Sequence, residues 1–273
     1  MTKPDRDSIE LFVQSILQSS KYRKYPILEE TIRDVFILEL ERNPDSKEAG
    51  NQARKKLHNI TAFYLGDPNY AKAIDELNFL KQQSNIVKFK EACLDIMATH
   101  SSSRERLPYL SQIYEFIFGI TGKPNTISDL ACGLNPLSIP WMGLGSDLRY
   151  FAFDIHINRI NFLNDFLKLI ELPPDAEARD IIVTPPEQST DIAFILKEVH
   201  RFEQRRKGIT ADLLNSIKSK YVVISFPIYS LTSRHSLEES YKNLFKKIIS
   251  DQPWNFDEFK IGNELFFVID KRE

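Results

Sequence analysis

No stretch of this sequence approaches the roughly 20 uninterrupted apolar residues that a helix needs to cross a bilayer. Its opening residues, with Asp5, Arg6 and Asp7, lack the apolar core of an export signal. A soluble, cytoplasmic protein with no membrane partner is expected. Cysteine is scarce: Cys93 and Cys132 stand alone, in no CxxC or Cys/His spacing, which excludes a disulfide framework and a structural zinc site and fits a reducing compartment. The five histidines, His58, His100, His156, His200 and His235, show no HxH or HExxH spacing, so no metal is expected. Positive charge is also lacking overall, the formal net charge being −2, although phosphate binding depends largely on cations. Its distribution is uneven: Lys and Arg outnumber Asp and Glu by 17 to 16 over residues 1–107 and trail them by 19 to 22 thereafter. The N-terminal part is the more basic. Internal repeats and low-complexity tracts are absent.

What remains is 273 residues, 42% of them hydrophobic, enough for one α/β domain and a further module of about a hundred residues. The first 120 residues carry only helical periodicity. Ile9, Phe12, Val13, Ile16 and Leu17 share a face, as do Leu28, Ile32, Val35 and Phe36, and then Ala53, Leu57, Ile60 and Tyr64. Tyr25-Pro26, Asn43-Pro44-Asp45 and Gly66-Asp67-Pro68-Asn69 break these helices and supply caps. Two more helices are expected around 70–82 and 85–100, and another carries Leu107, Leu110, Ile113, Tyr114, Ile117 and Phe118.

After Gly122-Lys123-Pro124-Asn125 short apolar runs alternate with longer periodic segments, the mark of βα units. Strands are predicted at 126–131, 150–153, 191–196 and 221–226, with a closing hairpin at 256–261 and 264–269. Helices are predicted at 157–170, 211–218 and 237–249. This is the plan of a doubly wound α/β sheet with a reversed edge, the class I (Rossmann-like) methyltransferase arrangement, here preceded by an all-helical domain. The expected division is 1–105 for the helical domain and 106–273 for the α/β domain.

Ser128-Asp129-Leu130-Ala131-Cys132-Gly133-Leu134-Asn135-Pro136 closes the first strand, and a glycine there lets backbone approach a ligand at the carboxyl edge of the sheet. Asp154 ends the second strand, 21 residues after Gly133, where a carboxylate can accept both ribose hydroxyls of an adenosine. Asp180 follows a third strand, where an acid can meet the adenine amino group. Strand-end carboxylates are common helix N-caps, so each taken singly is more often structural. Together with the glycine turn they point to an adenosine-type cofactor.

These stretches and others resemble the aminoglycoside-resistance 16S rRNA guanine-N7 methyltransferases. The shared segments, in order, are Ser20-Lys21-Tyr22, Lys55-Lys56-Leu57-His58, His100-Ser101-Ser102-Ser103-Arg104-Glu105-Arg106-Leu107, Cys132-Gly133-Leu134-Asn135-Pro136, Asp154-Ile155-His156, Val223-Ile224-Ser225-Phe226-Pro227 and Ile261-Gly262-Asn263-Glu264-Leu265. The resemblance implies S-adenosyl-L-methionine as cofactor and 16S rRNA within the 30S subunit as partner of a monomeric enzyme. It further implies resistance to aminoglycosides through methylation in the decoding-site region. It assigns Arg106 to the methionine carboxylate, a pairing suited to a guanidinium fork. Gly133 is assigned to the methionine moiety, Asp154 to the ribose, and Asp180 with Ile181 to the adenine. Asp129, Asn135 and Ile155 are counted with the same site, and Lys197 with the rim of the methyl-donor pocket.

For the target base, Ser225, Phe226 and Pro227 form the expected wall, with Phe226 stacking on the ring or else filling core. Glu264 is the candidate acceptor for guanine N1 and N2 hydrogens, or a simple hairpin residue. Arg23, Lys24, Arg54, Lys55, Lys56, Lys88, Lys90 and Arg234 are candidate RNA contacts, although charges on helix faces are commonly just solvated. Arg201, Arg205, Arg206 and Lys207 form a basic stretch without an evident partner.

Two departures from the family pattern stand out. Glu198-Val199-His200-Arg201 follows Lys197 where apolar residues are usual, altering the pocket rim. Ser233-Arg234-His235-Ser236-Leu237-Glu238 lacks the family's glycines, a stiffer loop that bears on the choice of nucleotide. The alternatives left open are a related methyltransferase acting on another RNA or a small molecule, and a non-catalytic RNA-binding protein that keeps the fold.

Overall fold

The computed structural model describes residues 6–24, 26–62, 67–229 and 235–272. Its N-terminal part is helical: α1 Arg6–Leu17, α2 Ser20–Lys24, α3 Glu29–Arg42, α4 Ser46–Ala62, α5 Tyr70–Gln82, α6 Ile86–Ala98, a short α7 Ser101–Arg104 and α8 Leu110–Thr121. Side-chain caps set several starts. Asn69 accepts from Lys72 N at 3.1 Å, Asn85 from Lys88 N at 3.1 Å, and Asp45 from Lys47 N at 2.9 Å.

The remainder is built on β1 Thr126–Leu130, β2 Arg149–Asp154, β3 Ala176–Ala178, β4 Ser189–Leu196, β5 Lys218–Pro227, β6 Asn255–Ile261 and β7 Glu264–Asp270. Helices α9 Ile157–Leu169, α10 Val199–Arg205, α11 Ile209–Ser216 and α12 Glu238–Ile249 complete it. The seven strands run in the order β3-β2-β1-β4-β5-β7-β6. The first five are parallel, and β7 enters antiparallel beside β5 with β6 outside it. β7 has both faces covered and is almost entirely buried, whereas β6 exposes most of its residues, Asp257, Glu258 and Lys260 among them. Charges along an edge oppose strand addition by another chain. The predicted doubly wound sheet with its reversed hairpin is therefore present, with strand bounds within a few residues of expectation.

Among the described residues, three apolar clusters hold the fold together. One face of the sheet packs against α5, α6, α8 and α9. The other packs against α10, α11 and α12. The third joins α1, α3 and α4 through Phe12, Ile16, Ile32, Phe36 and Leu57, with Phe12 and Phe36 stacked at 4.0 Å. α5 and α6 share the sheet's core, and a separate helical cluster spans residues 9–57. The amphipathic faces of α5 and α6 fit either partner, so periodicity alone could not assign them.

Sequence reading missed α10. Only Val199 and Phe202 of its seven residues are buried, too few to show a period. Among the described residues, no helix is long and apolar enough to cross a membrane.

Candidate functional site

The β1-β4 pair is where the strand order reverses, and open α/β sheets take ligands in the crevice at such a point. A cavity of about 840 Å³ lies there, above the carboxyl ends of β1, β2 and β4. Arg106, Asp129, Gly133 and Asn135 line it, as do Asp154, Ile155, Asp180 and Ile181, so the structure brings together every residue assigned to the cofactor. Val35 of α3 and Lys56, Asn59 and Ile60 of α4 close one side. The helical module is part of the wall.

At the β1 turn, Gly133 adopts φ +54, and a Cβ built there would find only His100 Nδ1, at 3.9 Å. The backbone is thus bare toward the cavity. Gly133 N donates to Asp154 Oδ2 at 3.0 Å, and His156 N donates to Oδ1 at 2.9 Å. Asp154 therefore does cap the turn after β2, but Arg159 of α9 also reaches Oδ2 at 3.1 Å. Arg159 links outward, donating to Asp67 Oδ1 at 2.7 Å, with His100 Nε2 at 2.9 Å from both the guanidinium and that carboxylate. Asp67 resists burial: His100, Arg159 and Tyr70 hold its carboxyl down at about 2. Sequence reading gave Arg159 no role. Its signal was local, since Asp154 and Arg159 flank a helix start five residues apart.

Asp129, at the end of β1, accepts from Tyr150 Oη at 2.6 Å and Asn135 Nδ2 at 2.9 Å. Burial pushes its carboxyl up to about 7 against these bonds and the nearby Arg106. Asn135 in turn accepts from Arg106 Nη1 at 3.2 Å. Arg106 grips Glu264 through Nε at 3.1 Å and Nη2 at 2.6 Å, a buried bidentate pair. The side chains of both are 4% exposed. Arg106 also lines the cavity.

This arrangement corrects the expectation for Glu264. Oε1 also accepts from Ser225 Oγ at 2.5 Å, and Lys197 Nζ lies 3.5 Å from Oε2, so the carboxylate is filled by the protein and positions Arg106 instead of reading a base. The turn before it fixes this placement: Gly262, at φ +57, lies under the Tyr109 ring, which a Cβ would strike at 2.6 Å. Lys197 is buried at φ +61, pairs with Glu105 at 2.9 Å and holds Ser225 through its backbone N, which donates to Ser225 Oγ at 3.1 Å. It braces β4 against β5 and does not line the cavity.

Phe226 requires a second correction. It is completely buried, stacked on Tyr241 at 4.8 Å and edge-on to Phe267 at 6.1 Å, within the cluster beneath α12. β5 is a central strand covered on both faces, so an aromatic at its end fills core and cannot stack on a base. Ser225 is likewise buried. Pro227, half-buried, remains the part of that segment nearest the surface.

The departure after Lys197 does shape the site. Glu198 and His200 line the cavity, Glu198 paired with Arg201. Burial raises the Glu198 carboxyl to about 7 and lowers the His200 imidazole to about 4, leaving the latter neutral. Within the basic stretch, Arg205 binds Asp180 at 2.7 Å and Asp34 at 2.5 Å.

Of the candidate RNA contacts, Arg23, Arg54, Lys55 and Lys88 are exposed. Arg54 also donates to Ser15 Oγ at 2.9 Å and lies over the Phe12 ring. Lys90 is half-buried over Trp141. Lys56, half-buried, pairs with Glu39 at 2.5 Å and lines the cavity. The Lys24 side chain and Arg234 lie outside the described residues. No group of three or more potential metal ligands occurs among the described residues.

The donors and acceptors fit S-adenosylmethionine: a guanidinium edge for a carboxylate, a bare glycine turn for the methionine moiety, and a strand-end carboxylate for vicinal hydroxyls. Comparison with known proteins agrees. The chain is 33% identical to the 16S rRNA (guanine(1405)-N(7))-methyltransferase of Frankia casuarinae over 82% of its own length and 81% of the relative's. It is 30% identical to the enzyme of the same description from Micromonospora echinospora over 99% of both chains. The crystal structure of the 16S rRNA methyltransferase RmtF in complex with S-adenosyl-L-homocysteine superposes with a TM-score of 0.77, at 26% identity, over 98% of this chain and 100% of that one. The model of the FmrO ribosomal RNA methyltransferases matches residues 18–268. The chain belongs to this FmrO family and is an S-adenosylmethionine-dependent methyltransferase.

Proposed function

We propose that this enzyme methylates N7 of a guanine in the decoding-site region of 16S rRNA, at the position its relatives' names number 1405, within the assembled 30S subunit, and so protects the host ribosome from aminoglycosides. The observation that carries this reading is the cavity itself: the residues assigned to the cofactor gather at the switch point of the sheet, walled on one side by a helical module. Such a module is larger than a lid over a small substrate requires, and its size suits a folded RNA.

The bound cofactor supplies an electrophilic methyl on a sulfonium. Guanine N7 presents a lone pair that carries no proton, so no group on the chain has to act as a base or supply a Lewis acid, and no metal is required. The chain's task is positioning. Asp154 takes the ribose hydroxyls, Asp180 with Ile181 the adenine, and the open edge of Arg106 the methionine carboxylate. Glu264, Ser225 and Lys197 keep that arginine in place. The guanine has to leave its stack to reach the cavity, where Glu198 and His200 form the changed rim. Exposed Arg23, Arg54, Lys55 and Lys88 meet phosphates, and the enzyme acts as a monomer.

Labelled methyl transfer to isolated 30S subunits, naked 16S rRNA, tRNA and small nucleosides tests this reading. Label on 30S far above the other substrates is expected. Preference for naked RNA, tRNA or nucleosides would replace the substrate, and no transfer to any of them would leave a binding protein.

A further inference from the structure

The carboxylate of Asp180 is held from behind by one group of the helical module and one of α10, which packs on the sheet. Thr31 Oγ1 of α3 and Arg205 Nη1 of α10 both donate to Oδ2, each at 2.7 Å. Ile182 N donates to Oδ1 at 3.2 Å, and Asp180 N itself donates to Glu30 Oε1 of α3 at 2.8 Å. Each carboxylate oxygen accepts about two hydrogen bonds. Oδ2 is therefore filled, while Oδ1 keeps one acceptor site, and Asp180 borders the cavity.

We infer that Thr31 and Arg205 are positioning residues for the cofactor's adenine: by fixing Oδ2 they turn the open side of Oδ1 to accept from the exocyclic amino group, which makes the helical module a working part of the cofactor site. The inference rests on the assignment of adenine to Asp180. Glu30, Thr31, Asp34 and Val35 fall at i, i+1, i+4 and i+5, one stripe of α3 facing the site. Asp34 completes the frame by accepting from Arg205 Nε at 2.9 Å and Nη2 at 2.5 Å, so the guanidinium lies between two carboxylates. Thr31 is wholly buried and Asp180 is 2% exposed. A junction needed only to hold α3 to the domain would gain as much from apolar residues, because buried ion pairs repay little of their desolvation. A polar frame built around one carboxylate serves orientation.

The test is calorimetric binding to the full-length protein of S-adenosylhomocysteine and of S-inosylhomocysteine, in which a 6-oxo group replaces the 6-amino group. The parent should favour the adenine ligand. Thr31→Val, nearly isosteric, and Arg205→Met should each weaken that ligand roughly five- to tenfold while changing the inosine analogue little, so that discrimination collapses. Thr31→Ser, which restores the hydroxyl, should behave as the parent. A merely structural role would weaken both ligands together or neither. Parent-like discrimination in both Thr31→Val and Arg205→Met overturns the inference. Asp180→Asn separates the two claims. If it discriminates like the parent, adenine does not meet Asp180 and the inference falls with that assignment; if it loses discrimination while the other two variants retain it, the inference alone fails.

Discussion

Arg106 pairs with Glu264 and, on the proposed reading, with the cofactor's carboxylate, and substitutions at this residue separate the two. Arg106→Ala leaves Glu264 buried beside Ser225 and Lys197 without its main counter-charge, a loss of about 3–5 kcal/mol of stability in addition to lost cofactor binding. Arg106→Lys keeps the charge but not the fork, and calorimetry should show cofactor affinity reduced by roughly 1–3 kcal/mol in a protein that still folds. Asp154→Ala should cost a similar amount by removing the acceptor at the end of β2. If Arg106→Lys and Asp154→Ala both bind S-adenosylmethionine like the parent, the site is misplaced. Phe226→Ala gives the opposite profile: about 3–5 kcal/mol of lost stability in chemical denaturation, from a cavity between Tyr241 and Phe267, with little change in cofactor affinity. Unchanged stability with lost methylation would return Phe226 to the target base.

At the scale of elements, β1 has a pH signature. The Asp129 carboxyl is raised by burial to about 7, so the folded state keeps a proton that the unfolded chain has released by about pH 4. The stabilisation from that proton is full below the unfolded value and fades as pH rises through about 7. Urea unfolding at pH 5 and pH 8 should therefore show a larger loss for the parent than for Asp129→Asn, and equal losses in the two proteins would contradict the assignment. The elements also show what could be read in advance. Asp129 and Asp154 were legible because they lie at the ends of the short apolar runs of β1 and β2, and the sheet brings those ends together with Asp180. The frame around Asp180 was not, because Arg205 and Asp34 lie 171 residues apart and α10 is too short to show a period. The place of Lys56 on the cavity wall was legible, since it sits three residues after Ala53 and four before Ile60, on the inner face of α4. Phe226 could not be separated from a base-stacking aromatic until β5 was seen covered on both sides.

For the whole molecule, the exposed cations divide between α2 and α4, which belong to the helical core, and α6, which packs on the sheet. A folded RNA can span both. Activity on 30S subunits should fall steeply with salt, because forming phosphate contacts releases counterions and added salt diminishes the gain from their release. Lys55→Glu should weaken 30S binding in a filter or fluorescence assay while leaving cofactor affinity unchanged. Equal 30S affinity would remove Lys55 from the interface. In a susceptible bacterium, expression should raise minimum inhibitory concentrations for gentamicin and kanamycin and leave apramycin and neomycin much less affected. An N7 methyl makes the guanine cationic and blocks the edge that the first two approach, and like charge at that range costs a cationic drug several kcal/mol.

The most direct measurement is a chemical map of the product. 16S rRNA from 30S subunits treated with the enzyme and S-adenosylmethionine is reduced with borohydride and cleaved with aniline, which cuts at N7-methylguanine, and the cut is located by primer extension. One new cut at the decoding-site guanine that its relatives' names number 1405, missing without cofactor and missing with Asp154→Ala, is the predicted result. Methyl incorporation without any such cut, or a cut elsewhere in the RNA, would contradict the assignment of N7 and of the target.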